Sequence, residues 1–429
     1  MRCLTLFAAV AVLATTSALA ADMAKVRVHH RDVAKCSRNK TSFKVTTNAS
    51  ISSSSSSSSS NVAGFDVDKV LSVAQKLSSH SWEYGFLAES LLEYYSPTLS
   101  VFGSDPFPDG KVPKPTVSGV KALTYVKPFI STSGNTLANG DGAVGDPASL
   151  GVSAALIGQS DSTYRSALDR QVKHLYTAPR YSNGAISQRE DVAELWADAV
   201  YMFPPTLAYY AVLTSNETML HDAITQCSRY RLILTPSDTP SNANWTGMWQ
   251  HIVGPQSQTL GIWATGNGWA AMGMTRVLAT VMKWSTSSSW TSQQTLLKRW
   301  IYAILSGAKS TGTDSNGLIR NYVAGGPSGA SQSPPSGNFG DVTGTAMLAS
   351  VAYRMAVLDP SGGKQYVSWA DGLRKAVAAS VNSTGYAVPT VDPLNWFATN
   401  PYYGGSPEGQ SAAGVMAAAY RDCRNAGRC

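Results

Sequence analysis

Apolar residues recur at helical spacing in segment after segment of this chain, and no run of alternating, strand-like segments accompanies them. Spacings of three and four residues place such side chains on one face of a helix. Asp146 and Pro147 have the order of an N-cap and a first helical turn, and Pro97 ends an earlier pattern. The pattern predicts twelve helices, at Phe65–Ser79, Trp82–Tyr95, Thr116–Ile130, Asp146–Ile157, Tyr164–Tyr176, Pro205–Leu213, Glu217–Leu234, Asn267–Met282, Thr291–Ser306, Gly344–Val357, Lys364–Val381 and Glu408–Arg421.

Twelve consecutive helices make six helical hairpins, so the predicted fold class is all-α. Roughly 370 residues of paired helices fit one closed toroid of six hairpins, an (α/α)6 barrel. Two stacked helical domains satisfy the same periods. The periods do not decide between the two arrangements, because no repeat is visible in the sequence itself.

The first residues have the composition of an export signal. Residues 1–20 begin with Arg2, continue through the apolar run Leu4–Leu13 and finish with small residues up to Ala20, which are the three parts of a secretory signal peptide. The apolar run is too short to span a bilayer, and no later stretch approaches the roughly 20 residues of a membrane helix. We therefore expect a secreted protein that does not associate with membranes.

Residues 21–61 form a second zone, basic at first and then rich in serine. The run Ser52–Ser60 cannot bury apolar surface and is typical of a flexible linker. The folded domain is therefore predicted over residues 62–429.

The net charge of +7 is concentrated at this N-terminal end. Residues 21–50 contain seven basic and two acidic side chains, and Arg2 adds one more positive charge, which leaves +1 for residues 51–429. A nearly neutral body argues against nucleic acid as a partner. The basic zone itself is a candidate propeptide, solvated linker or contact with acidic polysaccharide.

Four cysteines remain once Cys3 leaves with the signal: Cys36, Cys227, Cys423 and Cys429. An even number suits an oxidising compartment, and four cysteines allow three pairings. Cys423 with Cys429 is the local option, which would leave Cys36 with Cys227. The sequence has no CxxC and no cluster of cysteine and histidine, so no metal site is expected.

Asn-x-Ser/Thr sequons begin at Asn39, Asn48, Asn216, Asn244 and Asn382. Such triplets also arise by chance. Together with an export signal, they fit a glycosylated protein from a eukaryotic secretory route.

The stretch Glu190–Pro205 places four acids among apolar and aromatic residues and ends in two prolines. Asp198 is the candidate catalytic acid, because burial beside residues such as Trp196 disfavours a charged carboxyl. On pattern alone, the commoner explanation is a first helical turn, where acids complement the helix dipole. The prolines predict that one helix stops near Phe203 and that another starts at Pro205. Asp198 then lies either on the last turn of the first helix or in the segment that leads into the next one.

Five short motifs follow one another along the chain: Asp146–Gly158, Trp196–Pro205, Gly247–His251, Trp263–Trp269 and Ser406–Gln410. In this order and spacing, the chain resembles the six-hairpin glycosidases, specifically the unsaturated rhamnogalacturonyl hydrolases and the unsaturated glucuronyl hydrolases. The resemblance extends from about residue 62 to residue 420, and it implies an (α/α)6 barrel.

The resemblance also implies roles for individual residues. Asp198, the acid of the Trp-x-Asp motif, carries out the chemistry, and Asp146, at the start of an inner helix, assists it. Trp196, His251 and Trp269 match positions that line the sugar site of the family. From the residues alone, a lone histidine is more often a structural group.

Two further aromatic residues are candidates for substrate binding. Tyr84 resembles an aromatic wall residue of the family, and Trp263 offers a flat face for a sugar ring. A tryptophan in a helical toroid is equally often part of the core, and both readings stay open for each tryptophan.

The motif Trp263–Trp269 departs from the family pattern at one position. The family usually has Trp-Gly-Arg-Gly-Asn-Gly-Trp, and this chain has Thr265 in place of the arginine. Thr265 and Asn267 are both expected to contact substrate, but threonine cannot pair with a carboxylate in bidentate fashion. Recognition of an acidic sugar would then require another basic residue, with Arg189 and Arg320 as candidates.

The implied reaction is hydration of a double bond. A polysaccharide lyase leaves an unsaturated uronic acid with a vinyl ether, which an acid protonates before water adds and the ring opens. The implied substrate is a pectic oligosaccharide of the rhamnogalacturonan type, handled by a monomer without a cofactor.

Two alternatives keep the fold and change the activity. A conventional glycosidase would use Asp146 and Asp198 as an acid/base pair, with carboxyl groups about 5–5.5 Å or about 6.5–9.5 Å apart. A non-catalytic carbohydrate-binding protein is the other alternative. The segment Gly266–Gly268 lacks the lysine and the preceding strand of a phosphate loop, and no Gly-x-Ser-x-Gly motif supports a serine nucleophile.

Overall fold

The computed structural model describes residues 61–239, 241, 243–284, 290–326 and 338–429. The predicted signal peptide, nearly all of the predicted tail, and Cys36 lie outside the described residues. All of the described residues fall in one compact unit.

Helices make up most of this unit, and the strands are very short. The helices are α1 (Val67–Leu77), α2 (Ser81–Tyr95), α3 (Lys121–Val126), α4 (Gly151–Ile157), α5 (Ser162–Leu175), α6 (Ala199–Met202), α7 (Pro204–Thr214), α8 (Glu217–Leu234), α9 (Ala264–Lys283), α10 (Thr291–Thr311), α11 (Val342–Leu358), α12 (Pro360–Ala379) and α13 (Pro407–Asn425). The strands are β1 (Leu195–Trp196), β2 (Ile252–Val253), β3 (Ile262–Trp263) and β4 (Tyr322–Ala324), which pair antiparallel as β1–β2 and β3–β4.

Six inner helical segments close into a ring. In order they are α2, α4 with its preceding 3-10 turn, α6 with α7, α9, α11 and α13; each packs against the next, and α13 packs back against α2. The outer helices α1, α3, α5, α8, α10 and α12 pack around them. The predicted (α/α)6 barrel is confirmed. Because each hairpin runs from an outer to an inner helix, all inner helices begin at the same end of the barrel.

Burial differs between the two layers. Every residue from Ala264 to Val281 of α9 is buried, and so is nearly all of α11 and α13, whereas outer helices such as α1 bury one face. An inner helix contacts protein on all sides, so its sequence is apolar or small all round.

Most predicted helix bounds agree with the structure, and Glu217–Leu234 agrees at both ends. The helix predicted over residues 116–130 is wrong as one element, because Gly119 and Pro128 divide it into α3 and two 3-10 turns. The predicted N-cap role of Asp146 is also wrong. Gly145 occupies that position without a side-chain cap, and a 3-10 turn over Asp146–Leu150 precedes α4.

A network of buried charges lies at the end of the barrel where the inner helices finish. Arg276 of α9 pairs with Glu89 at 2.7 Å and also with Glu93, both on α2. Arg354 of α11 pairs with Glu93 and with Asp422 of α13, each at 2.6 Å. Removing one partner of such a buried network would leave an uncompensated charge. The network links α2, α9, α11 and α13 at that end of the barrel.

One of the two predicted disulfides is present. Cys423 and Cys429 are bonded, as the local option predicted. Cys227 of α8 is a free and fully buried thiol in the described structure, and the other predicted partner, Cys36, lies outside the described residues.

Glycines let the inner helices approach at backbone distance. A Cβ atom at Gly273 of α9 would lie 2.0 Å from the carbonyl oxygen of Val200 in α6, and one at Gly414 of α13 would lie 2.2 Å from Oγ of Ser90 in α2. Real Cβ atoms do not approach so closely, so the ring closes only with glycine at these positions.

We expect Gly273→Ala to destabilise the protein by about 1–3 kcal/mol or more, because the added methyl group meets backbone that cannot move aside. Urea denaturation followed by circular dichroism measures the change. Gly372→Ala on the outer helix α12 is the matched control, since no atom lies within 4 Å of its Cβ position, and it should be neutral or stabilising by up to about 1 kcal/mol. Equal stability of the two variants would contradict the close contact between α6 and α9.

Candidate active site

Polar and aromatic side chains gather where the inner helices begin. Glu408 lies in the first turn of α13, Asp341 caps α11, Asp198 caps α6 and Asp146 precedes α4. Burial is the main reason that the pKa values of Asp146 and Glu408 are raised; the charge of Asp198 adds to both shifts, and that of Asp341 adds to the shift of Glu408. These carboxyl groups are therefore neighbours in one site, although the motifs that carry them are spread over the whole domain.

The break between α6 and α7 positions Asp198. α6 ends at Met202 and α7 begins at Pro204, one residue before the predicted restart. Asp198 is the residue before α6, which is the lead-in of the two positions that the prolines allowed. Its side chain is 15% exposed.

The pairing of β1 with β2 brings His251 beside Asp198. Trp196 lies opposite Ile252, and the backbone N–H of Ala197 donates to the carbonyl oxygen of His251 at 2.9 Å. Nε2 of His251 then lies 3.2 Å from Oδ2 of Asp198. The angles at this contact do not make a hydrogen bond, so Oδ2 of Asp198 and both ring nitrogens of His251 are buried without a hydrogen-bond partner among the described residues.

Three buried polar atoms without partners are unusual in a folded protein, where such atoms are nearly always hydrogen-bonded. His251 is only 1% exposed, so bulk water does not satisfy its nitrogens. The arrangement suits a small polar ligand that supplies the missing partners, and a sugar hydroxyl or a water molecule has the required donors and acceptors.

Asp146 has a raised pKa that falls near neutral pH. Burial raises its pKa to about 7, a hydrogen bond from Nε2 of Gln188 at 2.7 Å opposes the rise, the charge of Asp198 adds to it, and the charge of Arg189 opposes it. Desolvation therefore outweighs the favourable hydrogen bond.

Three tryptophans surround the His251 ring. The ring centroids of Trp263, Trp196 and Trp396 lie 4.3, 5.8 and 6.0 Å from that of His251. Trp196 donates its indole N–H to Glu194 at 2.7 Å, which fixes its orientation. Sequence reasoning missed Trp396, because it lies in the loop between α12 and α13, outside every helical period and every motif.

The rest of the glycine-rich motif is structural. The Thr265 hydroxyl donates to Asp341 at 2.8 Å, and both residues are fully buried. Asn267 accepts the backbone N–H of Trp249 at 2.8 Å and donates to the carbonyl oxygens of Trp249 and Trp263, each at 2.9 Å. These bonds fix the entry into α9, and they occupy both polar groups of the Asn267 side chain.

Trp269 lies in the core. It is 1% exposed and packs against Phe86 and Tyr201, with ring centroids 4.5 and 4.9 Å away. The structure therefore brings Trp196 and Trp263 beside His251 and Asp198, at what we call the pocket, and it places Trp269 in the core.

Tyr84 borders a separate cleft of about 340 Å³ next to the pocket. Its ring stacks on that of Phe129, with centroids 4.0 Å apart and planes within 5°. His80 and Asp141 also line the cleft. The charge of Asp141 raises the pKa of Asp146, so the cleft lies beside the carboxyl pair.

Glu408 is a second buried acid whose role the sequence did not indicate. Trp82 donates its indole N–H to Oε1 of Glu408 at 2.7 Å. Burial raises the pKa of Glu408 well above its usual range despite that bond. Glu408 therefore links the start of α13 to Trp82 of α2, where the last inner helix meets the first.

The described residues contain neither a candidate metal site nor a candidate membrane span. No group of three or more His, Cys, Asp or Glu side chains there could hold a metal ion. None of the helices in those parts of the chain has the length and apolar character to cross a bilayer.

The chain matches Glycosyl Hydrolase Family 88 over residues 124–313. That segment contains Asp146, Asp198 and His251, and the match confirms the predicted resemblance to the six-hairpin glycosidases. No curated protein sequence matches the chain.

Several solved structures share its fold. A possible member of glycoside hydrolase family 105 from Salmonella enterica serovar Paratyphi A has a TM-score of 0.64 and 14% identity, covering 84% of this chain and 93% of its own. An unsaturated glucuronyl hydrolase from Streptococcus agalactiae has a TM-score of 0.54 and 13% identity, with 84% and 92% covered. A polysaccharide lyase has a TM-score of 0.59 and 16% identity, with 86% and 98% covered. At these identities the likeness shows the fold alone.

The raised pKa of Asp146 predicts a pH-dependent contribution to stability. The folded protein keeps this proton up to a pH of about 7, whereas an unfolded aspartate releases it near pH 4. The stabilisation is therefore complete below about pH 4 and is lost as the pH rises through about 7. Asparagine is uncharged at every pH in this range. We therefore expect the free energy of unfolding of wild type to fall by about 2–4 kcal/mol relative to that of Asp146→Asn as the pH rises from about 4 to above 7.

Urea denaturation of both proteins at several pH values between about 4 and 8 measures this difference. Asp191→Asn, in the same stretch as Asp198 but exposed to solvent, controls for the loss of one acid at the surface. Parallel stability curves for wild type and Asp146→Asn would show that Asp146 does not retain its proton.

Proposed function

We propose that this protein, whose residues 124–313 match Glycosyl Hydrolase Family 88, removes unsaturated uronic acid residues from lyase-generated pectic oligosaccharides of the rhamnogalacturonan type. The observation that carries the proposal is the contact between Asp198 and His251, 3.2 Å apart and without hydrogen-bond partners among the described residues. Asp146, a buried carboxyl whose pKa is raised to about 7, belongs to the same site. A vinyl ether requires such an acid, and general acid–base help contributes about 10²- to 10⁴-fold in rate.

In the proposed mechanism, Asp198 donates a proton to the double-bond carbon that does not carry the ring oxygen. Positive charge then develops on the carbon bonded to that oxygen, and water adds there. The Asp198 carboxylate accepts the proton that the water gives up, which restores the acid. The resulting hemiketal opens and releases the partner sugar, and His251, 3.2 Å from Asp198, orients the water or a neighbouring hydroxyl.

Arg189 is the better placed of the two candidate partners for the substrate carboxylate. Its positive charge acts on Asp146, and its Nε donates to Gln256 at 3.1 Å from a half-buried position. Arg320 instead donates to the carbonyl oxygen of Thr313 at 2.9 Å. Thr265 cannot bind a carboxylate in this way, because its hydroxyl already donates to Asp341.

The proposal includes secretion and a monomeric state. The signal-like residues 1–20 and the sequons support export, and a disulfide between Cys423 and Cys429 fits an oxidising compartment. Mass spectrometry of the secreted protein, with light scattering for its mass in solution, tests both parts.

The decisive experiment incubates the protein with lyase-digested rhamnogalacturonan and follows the ultraviolet absorbance of the double bond. Hydration predicts a loss of absorbance in step with the release of saturated product. Asp198→Asn should reduce the rate by at least about 10²-fold while leaving the circular dichroism spectrum unchanged. Asp191→Asn, an exposed acid seven residues earlier, should keep the wild-type rate.

The other activities give different signals in the same assay. Cleavage of saturated oligosaccharides without loss of absorbance would show that the protein is a conventional glycosidase and does not hydrate the double bond. A rise in absorbance on intact polysaccharide would indicate a lyase. Binding without any product from pectic or glucuronic substrates would support a carbohydrate-binding protein.

A further inference from the structure

The loop between α12 and α13 holds an exposed apolar cluster. Leu394, Phe397, Tyr402 and Tyr403 are 52%, 45%, 37% and 64% exposed, and they lie within ten residues of one another in sequence. The other large apolar side chains that are exposed in the described structure are scattered singly. Single exposed apolar residues need no explanation, whereas four within ten residues of one loop form a candidate binding surface. We call this cluster the Leu394–Tyr403 platform.

The platform is continuous with the pocket through Trp396. The Trp396 ring lies 4.9 Å from Phe397 on the platform side and 5.0 Å from Trp196 on the pocket side, with His251 at 6.0 Å. Its indole nitrogen is buried and has no hydrogen-bond partner among the described residues. Aromatic side chains therefore line an unbroken path from the acid and histidine out to the surface.

Hydrogen bonds to neighbouring segments and across its own base anchor the loop. Tyr322 donates its hydroxyl to the carbonyl oxygen of Trp396 at 3.2 Å, and Val391 donates its N–H to Asp341 at 3.0 Å. Thr390 and Tyr402 exchange backbone hydrogen bonds of 3.0 and 2.8 Å across the base of the loop. The aromatic rings are thus presented on an anchored scaffold, which lowers the entropy cost of binding.

We propose that the Leu394–Tyr403 platform binds sugar rings of an oligosaccharide beyond the one that reacts at Asp198, so that the enzyme prefers substrates longer than a disaccharide. The proposal rests on the proposed function only in placing the reacting sugar at Asp198. Flat aromatic faces suit the apolar faces of sugar rings. The segment from Pro389 to Ser406 carries one charged side chain, Asp392, and no lysine or arginine, so it lacks the basic residues that attract an anionic membrane surface.

The test compares kcat/KM on unsaturated rhamnogalacturonan oligosaccharides of increasing length, from disaccharide to octasaccharide. Wild type should show a rise with length. The double variant Phe397→Ala/Tyr403→Ala should match wild type on the disaccharide and lose about tenfold on the longer substrates, mostly through KM, since each aromatic contact contributes a few-fold in affinity. Leu232→Ala, another exposed apolar residue at 63% on the outer helix α8, should change neither.

The proposal is overturned if kcat/KM of wild type does not depend on substrate length, or if the double variant keeps the same dependence. If wild type turns over none of these substrates, the proposed function fails on its own. The platform is then decided by electrophoresis through gels that contain rhamnogalacturonan polymer. Retardation of wild type and of Leu232→Ala, with free migration of the double variant, supports the platform, and equal migration of all three proteins overturns it.

Discussion

The packing of six inner helices at backbone distance is the constraint on which the rest of the molecule depends. Glycines at the crossings, such as Gly273 against Val200, remove the side chains that would hold the helices apart. A ring closed this tightly leaves little freedom in where each helix begins. Since all six inner segments run in the same direction, their starting ends and the loops that lead into them must share one small space.

That convergence explains the electrostatics of the site. A helix start favours a carboxylate through the helix dipole, yet burial and neighbouring acids act in the opposite direction, and at Asp146 and Glu408 burial prevails. At the opposite end of the ring, the buried carboxylates of Glu89 and Glu93 are neutralised by ion pairs with Arg276 and Arg354. Ion pairs therefore neutralise the acidic side chains at one end, whereas burial raises the pKa of those at the other end.

The residues of the glycine-rich motif have different structural roles. In the segment Trp263–Trp269, Trp263 contacts His251, Asn267 ties the backbone together, and Trp269 supports the core. Thr265 gives its hydroxyl to Asp341, so this position contributes to the barrel and not to the recognition of charge. The loop with Trp396 supplies the third tryptophan around His251 and has no counterpart among the motifs.

Local sequence determined the helices, because periods, prolines and caps act over a few residues: Glu217–Leu234, the break before Pro204 and the short disulfide loop at Cys423 all follow from neighbouring residues. The motifs also identified Asp198, Trp196 and His251 as members of one site. Only the tertiary structure decided which side chains face the pocket. An inner helix is buried on every side, so no apolar stripe tells Trp263 from Trp269. Closure of the ring, not sequence proximity, brought Glu408 to Trp82 and Trp396 to His251.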